Sequence, residues 1–172
     1  EYITERMVLM KRQIRRNVFE TNSSSMHSLT VTPNGNMDNL IVDEYENKVI
    51  TEFGEFGWGY DSYCDAATKL SYLMTMIIEL NRDCSSLEDF YELADFKRVS
   101  KVVSSHCHCD GIKVVSNIGK CSWNDNYNDH DGYVDHQSVC SIDSLLSDYG
   151  ECTIEEFIFD TGVVLTIDND NH

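Results

Sequence analysis

The stretch "DAATKLSYLMTMIIEL", residues 65–80, most constrains what this chain can fold into. Its apolar residues fall at Ala66, Leu70, Leu73, Met74, Ile77 and Ile78, the three-and-four spacing of one helical face. Asp65 stands where an N-cap belongs and Asn81 where a helix stops. The next stretch, "SSLEDFYELADFKRVSKVV", opens with Ser85-x-x-Glu88, the spacing of a capping box. It carries Leu87, Phe90, Leu93, Phe96, Val99, Val102 and Val103 as a second apolar stripe. Two such helices joined by a short polar turn predict an antiparallel helical pair.

On both sides of that pair the apolar period changes to that of strands. "SLTVTP" (Ser28 to Pro33), "LIVDEY" from Leu40, "KVITEF" (Lys48 to Phe53), "GIKVVSNIG" (Gly111 to Gly119), "YVDHQSV" and "GVVLTID" (Gly162 to Asp168) read as strands by their β-branched content. "NGN", Asn34 to Asn36, reads as a turn, and "GEFGWGY", Gly54 to Tyr60, as an aromatic loop. "WNDNYNDHDG", Trp123 to Gly132, reads as a polar loop because Asn and Asp favour turns over ladders. "SIDSLLSDYG" and "TIEEFIF" read as two short helical segments, the second opened by the box Thr153-x-x-Glu156. Residues 11–20 read as a short helix or the lead into a strand. The expected fold is α+β, a mostly antiparallel sheet packed against a helical hairpin.

At 172 residues the chain is long enough to bury a core without metal or disulfide, and nothing suggests an internal boundary. The expected domain is the whole chain, 1–172, with residues 1–9 as an extension: Glu1 opens it, and Met7 and Met10 both stand as candidate starts. No run of about eighteen apolar residues is present and the first twenty residues carry charges throughout, so neither a membrane span nor a secretion signal is expected. Seven cysteines with no regular spacing point to a reduced, cytoplasmic protein.

Thirteen basic residues oppose 30 acidic ones, a formal charge of −17. Arg6, Lys11, Arg12, Arg15 and Arg16 crowd the start, while Cys121 to His172 contains no Lys or Arg at all. Such a chain repels nucleic acid and attracts basic proteins. A weak DNA contact through Lys11, Arg12, Arg15 and Arg16 is the one exception the charges allow. Ordinary solubility is the plainer reading of the same charge.

Three constellations could carry chemistry. "SSHCHCDG" with Cys121 offers Cys107, Cys109, Cys121 and His106 or His108 as zinc ligands, although C-x-C is less typical than C-x-x-C. The plainer reading is a helix end, with His in the last turn and Gly111 as the stop. "NDNYNDHDG" spaces Asp125, Asp129 and Asp131 like a calcium loop, but Tyr127 and Tyr133 break the ligand pattern and favour a solvated acidic loop. "DHQS" sets Asp135 beside His136, as an acyl-transfer triad would, with Ser24 and His27 in "TNSSSMHS" as further candidates. Adjacent strand residues point to opposite faces, and no nucleophile elbow, P-loop or dinucleotide fingerprint accompanies them. "VFETNSSSMHSLTV" itself reads as a turn whose hydroxyls satisfy nearby backbone groups before the first strand.

"FETNSSSMHSLTV", "GEFGWGYDSYCDAATKLSYL", "YVDHQS" and "DNDN" together resemble a family of small proteins of phages and mobile elements of Gram-positive bacteria. The likeness runs from about Lys11 to the C-terminus, and through such proteins it extends to acidic anti-CRISPR inhibitors of Cas9. It implies a cytoplasmic inhibitor in the host bacterium that binds a nucleic-acid-processing effector. The basic surface of such an effector, the guide–target channel of Cas9 with guide RNA or its PAM-reading arginines, would meet the chain's carboxylates. By charge alone, Asp125, Asp129, Asp131, Asp135, Glu155 and Glu156 are the expected partner-binding residues. The alternative is a metal-dependent or Ser/His enzyme encoded by a mobile element that modifies a host component.

Overall fold

The computed structural model describes residues 25–31, 40–57, 59–121, 124–136, 138–148 and 152–169. In chain order it runs β1 (Ser25–Val31), β2 (Ile41–Asp43), β3 (Lys48–Thr51), β4 (Glu55–Phe56), β5 (Asp61–Tyr63) and α1 (Ala66–Leu80). Then follow α2 (Leu87–Glu92), α3 (Ala94–Cys107), β6 (Ile112–Val114), β7 (Ile118–Cys121), β8 (Asn124–His130) and β9 (Tyr133–Val134). The chain finishes with α4 (Ile142–Asp148), α5 (Ile154–Phe159) and β10 (Val163–Asn169).

The class is α+β, but the strands divide among four small sheets. β1-β10-β5 and the β7–β8 hairpin are antiparallel, β2-β3-β6 is mixed, and β4–β9 is parallel. Three helices separate β3 from β6, and a crossover of that kind returns the chain parallel to its start. Register in the first sheet joins segments far apart in sequence: Ser25 pairs with Asn169, Met26 with Asp168, and His27 with Ile167, which pairs in turn with Asp61.

Helix α1 begins as its sequence predicts, with Asp65 Oδ1 accepting from Thr68 N at 2.8 Å. It ends at Asn81, whose Nδ2 donates to the Ile77 carbonyl. One apolar face was expected, yet Leu70, Tyr72, Leu73, Met74, Met76, Ile77 and Ile78 are all buried. A helix enclosed on most sides is central, and α1 packs on α3, α4, α5, β3 and β9. Lys69 lies within this core, and its Nζ donates to the carbonyls of Asp160 at 2.8 Å and Val163 at 3.1 Å.

Several local expectations shift. The second helix breaks at Leu93, whose extended backbone ends α2 and begins α3. Its N-cap is Ser86, paired with Asp89, while the Ser85 hydroxyl donates to the Asp89 carboxylate at 2.6 Å. Two hydroxyls precede the helix, and the second has the cap geometry. The stop of α3 is His108 in the left-handed region, φ 54°, three residues before Gly111. "WNDNYNDHDG" contains strand β8, because antiparallel pairing with β7 supplies the ladder that Asn and Asp side chains do not favour alone. "GIKVVSNIG" splits into β6 and β7, and "GEFGWGY" contains β4. Ser25 to His27, expected in a turn, lie in β1, while residues 18–24, "NGN" and residues 11–20 lie outside the described residues. The box Thr153-x-x-Glu156 is present in both directions. Among the described residues no helix is long and apolar enough to cross a membrane.

Candidate functional site

The segment before β5 is folded onto α1 by its glycines. Gly54 N donates to Thr75 Oγ1 at 2.9 Å, and the Gly54 carbonyl accepts from Tyr133 N at 2.8 Å. Gly132 takes φ 79° with the Phe53 and Gly54 backbone against it, so a Cβ there would stand 2.6 Å from Phe53 Cβ. These contacts hold β4 against β9 and bring β9 beside Glu79 near the C-terminal end of α1.

A polar cluster is built there. Asp135 Oδ1 accepts from the Tyr133 hydroxyl at 3.2 Å and lies 3.1 Å from His136 Nδ1. The Asp135 side chain is 13% exposed and that of His136 74%, so a sheltered carboxylate orients a solvent-facing imidazole. Burial, then the adjacent Asp135 charge, push the Tyr133 phenol above its usual range. Beneath lies Glu79 of α1, its side chain 2% exposed, which pairs with Arg82, accepts from Val134 N at 3.4 Å and stands 4.0 Å from His130 Nε2. The opposite ring nitrogen, His130 Nδ1, is 2.8 Å from the Asp131 carbonyl. A carboxylate buried this far persists only with partners, and Arg82 and the Val134 amide supply them.

The β7–β8 hairpin leads into this cluster through His130. Asp131 Oδ2 accepts from the amide and side-chain nitrogens of Asn117 at 2.8 and 2.9 Å, closing the hairpin's base. Asn128 Nδ2 donates to the Asp83 carbonyl and ties β8 to the turn after α1. Asp129 and Asp131 are exposed, and among the described residues neither enters an ion pair. By contrast Lys48, Arg82, Lys97, Arg98 and Lys113 are all paired with carboxylates.

No protein-family model, curated protein or solved structure matches the chain.

The expected acidic residues therefore separate into two groups. Asp125, Asp129, Asp131 and Asp135 belong to β8 and the segment through β9, while Glu155 and Glu156 open α5. Glu156 is committed to the cap of its own helix, and Glu155 Oε1 sits 2.9 Å from His106 Nδ1. The expected zinc ligands are not gathered. Cys109 is buried, with its Sγ directed at the carbonyls of Val103 and Gly111, His108 is the helix stop, and Cys121 lies on β7 beyond Asn117. Among the described residues no three His, Cys, Asp or Glu side chains converge as metal ligands would. His27 is placed on β1 in one sheet and His136 follows β9 in another; Ser24 and the basic strip Lys11, Arg12, Arg15 and Arg16 lie outside the described residues. Adjacency suggested the Asp135–His136 pair, although opposite strand faces were expected to separate it; β9 ends at Val134, which frees the next two side chains to meet. Glu79, Arg82 and His130 carried no sequence signal except the odd charge at a core-facing position of α1.

Proposed function

We propose that this chain is a binding module that inhibits a nucleic-acid-processing effector such as Cas9, partly through an acidic surface. One observation carries the reading. Strand β8 and the turn after it expose Asp129 and Asp131, which enter no ion pair among the described residues, within a stretch from Cys121 onward that contains no Lys or Arg, while Lys48, Arg82, Lys97, Arg98 and Lys113 are each paired with carboxylates and Lys120 of β7 is the hairpin's one cation among the described residues. Exposed carboxylates suit a surface that otherwise takes phosphates. The test is capture of Cas9 with guide RNA from a cell that expresses both, at low and at raised salt. The reading expects capture that falls as salt rises; empty capture at low salt overturns it.

The Asp135–His136 contact favours a second reading, an enzyme whose imidazole is oriented by a carboxylate. It expects turnover that His136→Ala removes while the fold is kept, and no binding partner in the capture above.

A further inference from the structure

An open groove of about 670 Å³ runs between α3, α4 and α5. Its floor is apolar: Val102 from α3, Leu146 from α4 and Ile154 from α5, of which Leu146 and Ile154 are buried in the wall. Its rim carries Asp143 and Glu155, whose side chains are 74% and 61% exposed. Among the described residues Arg98 is the one cation lining the groove. Its guanidinium is held by Asp143 through two bonds, at 2.7 and 3.2 Å, and by Asp95 at 3.1 Å. That bond holds the Asp143 carboxyl below the usual carboxylate range.

We propose that this groove docks an arginine-bearing segment of a basic protein partner. An arginine has the matching division of chemistry: an aliphatic stem that lies on apolar surface and a planar head that reaches carboxylates. Val102, Leu146 and Ile154 take the stem and a neighbouring leucine of the partner, and Glu155 takes the head. The rim favours a cation because Asp95, Asp143 and Glu155 outnumber Arg98, and because Glu155, which shares one carboxylate oxygen with His106 Nδ1 at 2.9 Å, stays 61% exposed and can accept a second donor. The inference rests on the proposed role as a protein-binding inhibitor, and names a second contact on it, apart from the hairpin.

The probe is a short helical peptide with leucine and arginine one turn apart, titrated into the isotope-labelled full chain and followed by NMR. The expected result is saturable shifts of Val102, Leu146 and Ile154. Replacing the peptide's arginine by glutamine, or Glu155 of the chain by Gln, weakens binding about fivefold, the upper size of a half-exposed ion pair. Val102→Lys, which places a competing cation in the groove from a half-buried position, abolishes the shifts even if Glu155→Gln proves poorly folded. Equal binding of the glutamine peptide, shifts confined to the hairpin, or no shifts at all overturns the proposal. The peptide decides the groove and the Cas9 capture decides the reading, so failure of one is distinguishable from failure of the other.

Discussion

Lys69 donates through Nζ to the Asp160 carbonyl across 2.8 Å, from a position on α1 with no exposed surface. A second bond to the Val163 carbonyl lets this one ammonium bridge the end of α5 and the start of β10, alongside the Val163 amide, which donates to the Asp160 carbonyl at 2.9 Å. Lys69→Met keeps the volume and removes one donor from each carbonyl, which costs about 1–3 kcal/mol in urea unfolding. The pH dependence has a definite sign. Burial lowers the Lys69 pKa, so the folded chain holds that proton less tightly than the unfolded one. Wild type therefore gains on the Met variant as pH rises from the lowered folded value toward about 10, the unfolded lysine value. A difference that stays flat over that range contradicts the buried ammonium.

Gly132 is required by both conformation and space. With φ at 79° and the Phe53–Gly54 backbone pressed against it, any Cβ strains the turn that holds β9 to β4. Gly132→Ala lowers stability by about 2 kcal/mol or more, and thermal unfolding measures it. Gly119, where a Cβ meets nothing within 4 Å, serves as the tolerant comparison.

The α5 cap is separable from the rest. Thr153 Oγ1 accepts from the Glu156 amide at 3.1 Å and the Glu156 carboxylate accepts from Thr153 N at 2.8 Å. Thr153→Ala costs about 1 kcal/mol, the usual size of a lost N-cap. Thr153→Ser restores it.

Lys113 bridges Asp43 of β2 and Glu46 of the following turn, and hydrogen bonds to those carboxylates raise its pKa to about 12. The same bonds lower the pKa of Asp43 and of Glu46. Their stabilising contribution is present above the ordinary carboxylate values and is lost as pH falls through the lowered ones; that of Lys113 is lost only as pH rises through about 12. Lys113→Met should therefore be less stable than wild type at neutral pH and converge with it in acid. Raised salt should narrow the gap at neutral pH, because Lys113 and Glu46 are partly open to solvent. Denaturant melts at acid and neutral pH check both statements.

Much of the helical part was legible because its signals are local. Asp65, Asn81 and the Thr153–Glu156 box act within one turn of where they stand, and α1 and α5 begin where those residues place them. The sheets were less legible because pairing is non-local. Asn124 to His130 has turn-forming composition and becomes a strand only because β7 lies beside it. Nothing in "KVITEF" announces that its partner is β6, about sixty residues on and parallel. The site divides in the same way. Asp135 and His136 are neighbours in sequence and meet in space, whereas Glu79 reaches His130 and Val134 only once α1 packs against β9. Other distant segments also meet only in the fold: Ser25 and Met26 pair with Asn169 and Asp168, and Glu55 and Phe56 with Tyr133 and Val134.

The most direct measurement is the affinity of the purified chain for Cas9 with guide RNA as a function of salt, for wild type and for Asp129→Asn with Asp131→Asn. The amide at residue 131 keeps an acceptor for Asn117, so the hairpin base survives while two charges are removed. The account predicts binding at low salt that weakens as salt rises, and a double variant that binds more weakly with a shallower salt slope. No binding at low salt, or an affinity that neither salt nor the two substitutions changes, would contradict it.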